Sequence, residues 1–373
     1  MTAPADAAAA RPLVLVLGPS RSAVSGVATH LNMLWASALA QRFELQQFQV
    51  GSEGRDESAA LRAWRLLSSP VALAARLLRR RPALLHINTS IDPKAFWRDL
   101  AYLAVARWLG CPVLYQVHGG DLPATFAARG AWQGRALRWA LRTAGRVVVL
   151  SQQELAAYRP FCPPGRLLLI ANAIDAAALV QAPRTANPNA ALRLVYVGRL
   201  VRAKGLFEVL QALARLKADG LALGLRIAGS GPDRAALQAQ VVQHGLQDEV
   251  SFLGSVFGAD KDKLWLASDV FVFPTCLREG LPYAVLEAMA AGCLTLATPV
   301  GAIADVITDG QHGLLVPAPD VAALALALRR IHQDRSMLDR LGQAARQRVE
   351  QGYSLARLAN DFSAAYAQCV EDR

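Results

Sequence analysis

Residues 270–293 read VFVFPTCLREGLPYAVLEAMAAGC, and the order of residue types in this stretch sets the architecture. Val270 to Phe273 is a short β-branched and aromatic run stopped by a proline, the pattern of a fully buried strand. A polar loop follows. The segment from about Pro282 to Ala291 is then apolar except for Glu287, as expected of a helix packed against a sheet. Strand, loop and covering helix are the parts of a crossover between parallel strands.

The same unit repeats in both directions. LRLVYVG, LGLRIAGSG and VSFLG precede it and CLTLATP follows it, each separated by a helical length of chain. In the first half the runs Leu13–Leu17, Leu84–Asn88, Val113–Val117, Val147–Leu150 and Leu167–Ile170 alternate with helices in the same way. Between the halves, QAPRTANPNA (181–190) has two prolines and no periodicity, so it reads as a linker. The 373 residues exceed what one core usually organises. The expected fold is α/β: two Rossmann-like, doubly wound parallel-sheet domains, with boundaries 1–185, 186–354 and a final helix at 355–373.

Charge divides along the same line. The chain carries 40 Lys and Arg against 29 Asp and Glu, a net charge of +11. Before residue 185 there are 21 basic and 10 acidic side chains, and after it 19 of each. The whole surplus lies in the first half, which calls for an acidic partner there: nucleic acid, a phosphate or an anionic bilayer. Between Glu57 and Asp92 no acid occurs, while Arg62, Arg65, Arg76, Arg79, Arg80 and Arg81 are interleaved with Trp64 and leucines. Such a segment suits a helix lying on an anionic membrane, although Pro70 is expected to interrupt its face. Five dispersed cysteines without a C-x-x-C pair, no signal-peptide core and no spanning segment give the expectation of a cytoplasmic chain, at most peripheral on the membrane.

In open parallel sheets the ligand lies at the carboxyl ends of the strands, so residues just beyond each strand are the candidates. Gly26 opens a helix after the first strand, where backbone N–H groups can meet a phosphate. His118-Gly119-Gly120-Asp121 follows PVLYQV; the histidine and carboxylate would either orient a sugar hydroxyl or bond locally in a tight turn. Arg199 and Lys204, flanking the start of a helix, make a diphosphate clamp. Glu279 lies in a loop, and Glu287 sits inside the apolar helix, where it needs a polar partner such as a pair of hydroxyls. D-K-D at Asp260–Asp262 has metal-ligand spacing but reads as solvated surface.

Taken together, SGVATH, HGGD, IANAID (170–175), YVGRL with KG, IAGSGP, FLG, FVFPT, REGLPYAVLEAMAAGC, TPVG and DGQHGLLV resemble, in order and over nearly the whole chain, the retaining glycosyltransferases of the GT-B fold in glycosyltransferase family 4. The resemblance implies two domains facing a cleft, with the last helix crossing back to the first. It implies a catalytic group of His118, Glu279, Arg199 and Lys204. The donor site would comprise Gly26, Asn172, Arg199, Lys204, Gly229, Leu253, Arg278, Glu279, Gly280, Leu281, Pro282 and Glu287. His118 and Asp121 would lie toward the acceptor. Ser25 and Ala173 stand where the family often has glycine.

The implied activity is metal-independent transfer of a hexose, with retention, from a nucleotide sugar, UDP in preference to GDP, to a lipid-linked or polysaccharide acceptor in cell-surface glycan synthesis. No cofactor is expected. A nucleotide-sugar 2-epimerase of the same fold would instead consume donor without an acceptor. A nucleic-acid-binding protein would explain the +11 but not a neutral half that carries the clamp.

Overall fold

The computed structural model describes residues 11–371 apart from 54, 56, 182–190 and 319. The chain forms two compact units. The first comprises 1–150, 154–170 and 355–373, the second 151–153 and 171–354. The sequence boundary at 185 and the linker from 182 onward lie outside the described residues.

The N-terminal sheet contains β1 (Leu13–Gly18), β2 (Glu44–Gln49), β3 (Leu84–Ile91), β4 (Val113–Gly120), β5 (Arg146–Val149) and β6 (Leu167–Leu169), all parallel, in the order β2-β1-β3-β4-β5-β6. β2 has no counterpart in the sequence reading. Its ELQQFQ lacks an apolar run because it is the sheet edge, half-buried at every residue.

Side chains alternate across a strand, and this sorts the two faces of the sheet. Leu85, Ile87, Tyr115 and Val117 share a core with Leu73 and Leu77 of the helix Ala59–Arg80, Phe96 and Tyr102 of Pro93–Trp108, and Leu137 of Ala131–Thr143. The intervening positions point the other way. His86 bonds Tyr366 of the helix Leu355–Glu371 through Nδ1 (2.8 Å), and its Nε2 donates to Gln116 Oε1 at 2.9 Å. His118 packs on His30 of the helix Gly26–Ala36, with ring centroids 4.8 Å apart. The last helix thus belongs to the N-terminal unit, seated on β3 to β5.

Pro70 does not interrupt its segment: the helix is continuous from Ala59 to Arg80. A proline there removes the N–H that would bond to Leu66 O. Ser69 Oγ lies 3.5 Å from that carbonyl and bonds Tyr102 Oη at 2.8 Å, so the turn is held to the next helix.

Burial depresses the pKa of both His86, to about 3, and His118, well below the ordinary histidine range, with neighbouring histidines adding to the effect. A histidine depressed in this way costs nothing above its unfolded value near 6.5. Below that it loses about 1.4 kcal/mol per pH unit until the folded value is reached. The urea midpoint of the protein is therefore expected to fall between pH 7 and pH 5, and His86→Phe should flatten that dependence. An equally steep fall in the variant would contradict this.

The second unit repeats the pattern with β7 (Leu192–Val197), β8 (Leu223–Ala228), β9 (Val250–Gly254), β10 (Val270–Phe273), β11 (Leu294–Ala297) and β12 (Leu314–Leu315), in the order β12-β11-β10-β7-β8-β9. β10, the strand on which the reading began, lies inside this sheet with every residue buried.

Candidate functional site

In the second unit the loops at the carboxyl ends of β7, β8 and β10 converge by close backbone packing. A Cβ on Gly229, at φ 147°, would stand 1.9 Å from Gly198 O, and one on Gly205, at φ 77°, would stand 2.1 Å from Pro274 O. Only glycine permits these approaches. Leu200 N donates to Ser230 O at 2.9 Å and fastens the first two loops together.

Lys204 closes the short 3₁₀ turn Arg202–Lys204, and the following helix begins at Leu206. Its ammonium pairs with the Glu279 carboxylate and lies 4.8 Å from the Phe273 ring centroid. Thr275 Oγ1 is 3.3 Å from the same carboxylate oxygen. The two charged side chains are only 12% and 18% exposed, so their attraction is weakly screened by solvent. Arg199 is not part of this cluster. Its side chain is exposed and makes no ion pair among the described residues, while its carbonyl accepts a bond from Tyr196 Oη at 2.9 Å.

The Arg278–Pro282 loop is held by its backbone. Ala302 N donates to Gly280 O at 3.2 Å, and Asn172 Nδ2 donates to Leu281 O at 2.7 Å, which is the structural role of that asparagine. Ala173 has no positive φ, so glycine is not needed there. Gly301, the glycine of TPVG, has a role the motif alone does not give: at φ 61° its Cβ would meet Glu279 O at 2.0 Å. Gly301→Ala is expected to push the Glu279 backbone away and cost about 1–3 kcal/mol of stability. Thermal denaturation beside donor kinetics checks this, and an unchanged melting temperature would count against it.

Glu287 lies in the helix Tyr283–Ala290, apart from Glu279. The sequence reading expected paired hydroxyls as its partners. In the chain itself it is held by Lys261 Nζ, 2.7 Å from Oε1, and by Trp265 Nε1, 3.3 Å from Oε2. Burial raises its pKa, and the Lys261 charge works against that rise. Lys261 is the centre of the D-K-D read as solvated surface. That reading fits Asp260, which is exposed and pairs with Lys263 at 3.3 Å, but not Lys261. Among the described residues no three His, Cys, Asp or Glu side chains cluster as metal ligands. Leu253 is exposed and lines an open groove of about 630 Å³ with Arg226, Phe257 and Lys263.

In the N-terminal unit, Gly119 and Gly120 take φ of 102° and 94°, and a Cβ on Gly120 would collide with the Ile91 backbone at 2.7 Å. The tight turn expected at these glycines is instead the last part of β4, which carries His118. Its Nε2 lies 2.8 Å from Asn88 Oδ1, while Asn88 Nδ2 donates to Leu17 O at 2.9 Å. The amide oxygen therefore faces the ring, which places the proton on Nε2 of a neutral His118. Asp121 is not its partner, because that carboxylate pairs with Arg129 at 2.5 Å. Gly26 begins its helix with Ser25 as N-cap, accepting from Ala28 N at 3.3 Å, and a Cβ on Gly26 would touch nothing. Of the arginines, Arg62, Arg76, Arg79, Arg80 and Arg81 are exposed. Arg65 is tied to Glu57, and Arg76 donates to Gln46 Oε1 at 2.6 Å.

Two family models match this chain: Glycosyltransferase Family 4 over residues 24–178 and Glycosyl transferases group 1 over residues 181–348. The chain belongs to glycosyltransferase family 4. A Salmonella typhimurium protein provisionally named a colanic acid biosynthesis glycosyltransferase is 30% identical over 199 residues, 52% of this chain and 49% of that one. The match thus spans about half the length of that relative. Sucrose-phosphate synthase from Thermosynechococcus elongatus superposes with a TM-score of 0.75 at 22% identity, covering 97% of this glycosyltransferase and 100% of that chain. Anabaena HepE, solved in complex with UDP, superposes with a TM-score of 0.72 at 18% identity, covering 95% and 99%. These structures share the GT-B fold.

Proposed function

We propose that this glycosyltransferase moves a hexose from a nucleoside diphosphate sugar, a UDP-sugar in preference to a GDP-sugar, to a hydroxyl of a lipid-linked or polysaccharide acceptor, with retention at the anomeric carbon. The observation that carries this is the Lys204–Glu279 pair at the carboxyl ends of β7 and β10, a part-buried cation and carboxylate already opposed. When donor binds, Lys204 turns to the diphosphate and Glu279 accepts from the sugar hydroxyls. Arg199, exposed and in no ion pair among the described residues, supplies a second cation, and Glu287 takes the ribose hydroxyls. The bond from C1 to the diphosphate oxygen breaks, the bond from C1 to the acceptor oxygen forms, and the acceptor proton passes to the departing diphosphate. Preorganised cations stabilise the charge that grows there, and the reading needs no metal for that step.

His118, half-buried and neutral because its pKa is depressed, holds a sugar hydroxyl rather than neutralising phosphate. Support for the nucleotide comes from the HepE structure, which holds UDP, and for a cell-surface glycan from the relative named for colanic acid biosynthesis. The basic first half supports a cytoplasmic enzyme peripheral on the membrane. Real-time proton NMR with UDP-hexoses tests the reaction: slow release of UDP with the α-anomer of the sugar appearing first is expected. A β-anomer appearing first would overturn retention. A new nucleotide sugar formed without UDP release would assign the epimerase instead.

A further inference from the structure

Five of the seven tryptophans, Trp64, Trp97, Trp108, Trp132 and Trp139, are exposed, and all five lie in the N-terminal unit. They sit on the three helices Ala59–Arg80, Pro93–Trp108 and Ala131–Thr143, which cover one face of the sheet with Pro93–Trp108 in the middle. Burial drives apolar side chains inward, so a large exposed apolar patch needs an explanation beyond packing.

The positions are not scattered. On the first helix Trp64, Leu67, Val71 and Leu78 fall on one stripe at helical spacing, opposite the buried Ser69, Leu73 and Leu77. Trp97 and Trp108, eleven residues apart, share a stripe on the second helix, and Trp132 and Trp139, seven apart, share one on the third. The exposures of Trp64, Trp108 and Trp132 are 68%, 79% and 74%. Each helix is therefore apolar toward the sheet and apolar again toward solvent.

Charge on the same layer has one sign. The three helices carry eleven basic side chains, five on the first and three on each of the others, and a single acid, Asp99. Asp99 is fully buried and pairs with Arg98 at 2.7 Å, so it contributes nothing to the outer surface. Arg135 lies over the Trp132 ring, 5.6 Å from its centroid, and Arg142 continues the same stripe. On the opposite face, the helix Gly26–Ala36 has no charged residue and Leu355–Glu371 has one base against two acids.

We infer that the outer surface of this three-helix layer docks on an anionic lipid bilayer. Tryptophan belongs at the boundary between headgroups and acyl chains, arginine meets lipid phosphate, and the aliphatic Leu67, Val71 and Leu78 gain only by leaving water for hydrocarbon. A nucleic acid would satisfy the arginines but gives that aliphatic stripe nothing to enter. The inference deepens the peripheral-membrane reading by naming the surface, and rests on it only in that a membrane-borne acceptor would then be met by the docked unit.

The full chain is sedimented with vesicles of phosphatidylethanolamine and phosphatidylglycerol, and with vesicles of phosphatidylcholine. Three variant sets are compared: Leu67→Ser with Val71→Ser, Trp108→Ala alone, and Trp132→Ala with Arg135→Gln and Trp139→Ala. Wild type is expected on the anionic vesicles with a blue shift of tryptophan emission, weakened by salt, and each set should reduce binding, by about fivefold for each arginine removed. Stabilisation by UDP should be unchanged in all three, which separates failure here from failure of the donor assignment. Absence of anionic-vesicle binding by wild type overturns the inference. So does loss confined to the first set, which would mean a single docking helix, and so does salt-sensitive binding to a DNA duplex without vesicle binding.

Discussion

Lys204→Ala is expected to lower donor kcat/KM by about 10²–10³-fold, the effect of removing one preorganised charge from a developing anion. The size of the effect follows from the setting. Lys204 is 12% exposed, held by Glu279, and stands at the sheet end where glycines let three loops pack backbone against backbone. Removing it leaves Glu279 with Thr275 as partner but without a counter-charge. Lys204→Arg should recover only part of the loss, since the planar fork cannot occupy the position of a compact ammonium beside Phe273. Steady-state kinetics with circular dichroism on both variants checks this. Full activity in a folded Lys204→Ala enzyme would remove the residue from the site.

The second large effect is expected at Glu287. Glu287→Gln should raise the donor KM by at least about tenfold, as expected when a charged hydrogen-bond partner is lost. It should do so without loss of stability at neutral pH. The sign follows from the raised pKa: a carboxyl that folding makes harder to ionise favours the folded state below its ordinary value near 4.5, and this is lost as pH rises through the raised value. At pH 7 its ionised form is therefore a cost, offset in part by Lys261. Lys261→Met removes that offset, so the acid limb of the kcat/KM profile should move to higher pH. An unmoved limb would mean that Lys261 does not hold Glu287 in its charged form.

Glu287 sits in the stretch 270–293 from which the fold was read and Lys204 lies upstream of it, and the two were legible to different degrees. Lys204 and Glu279 follow strands β7 and β10, and the rule that ligands meet strand carboxyl ends was enough to choose them. Glu287 was chosen because a lone carboxylate in an apolar helix demands a partner. The partner was not legible, since Lys261 lies 26 residues upstream between Asp260, which faces solvent, and the half-buried Asp262. Asn88 was hidden for a similar reason: its link to His118 crosses two strands whose pairing only the sheet reveals. Asp121, three residues from His118, looked the better partner on spacing alone, but Arg129 takes it.

The surface tryptophans were obscured differently. Residues 59–80 are apolar on two opposite stripes, and sequence periodicity alone does not say which faces the sheet. Edge strand β2 went unseen because an edge is polar by construction. What composition did show is the location of the charge: the surplus of the first half falls largely on one helix layer, and the second half contributes single, placed cations.

In the proposed reaction the second unit holds a nucleoside diphosphate through Lys204. Calorimetric titration of UDP into wild type and Lys204→Ala tests that most directly. Wild type should bind one UDP per chain, with affinity at least about tenfold above the variant, a difference of about 1.4 kcal/mol. Equal affinity in the two proteins, or no binding of UDP, GDP or ADP by wild type, would contradict the account.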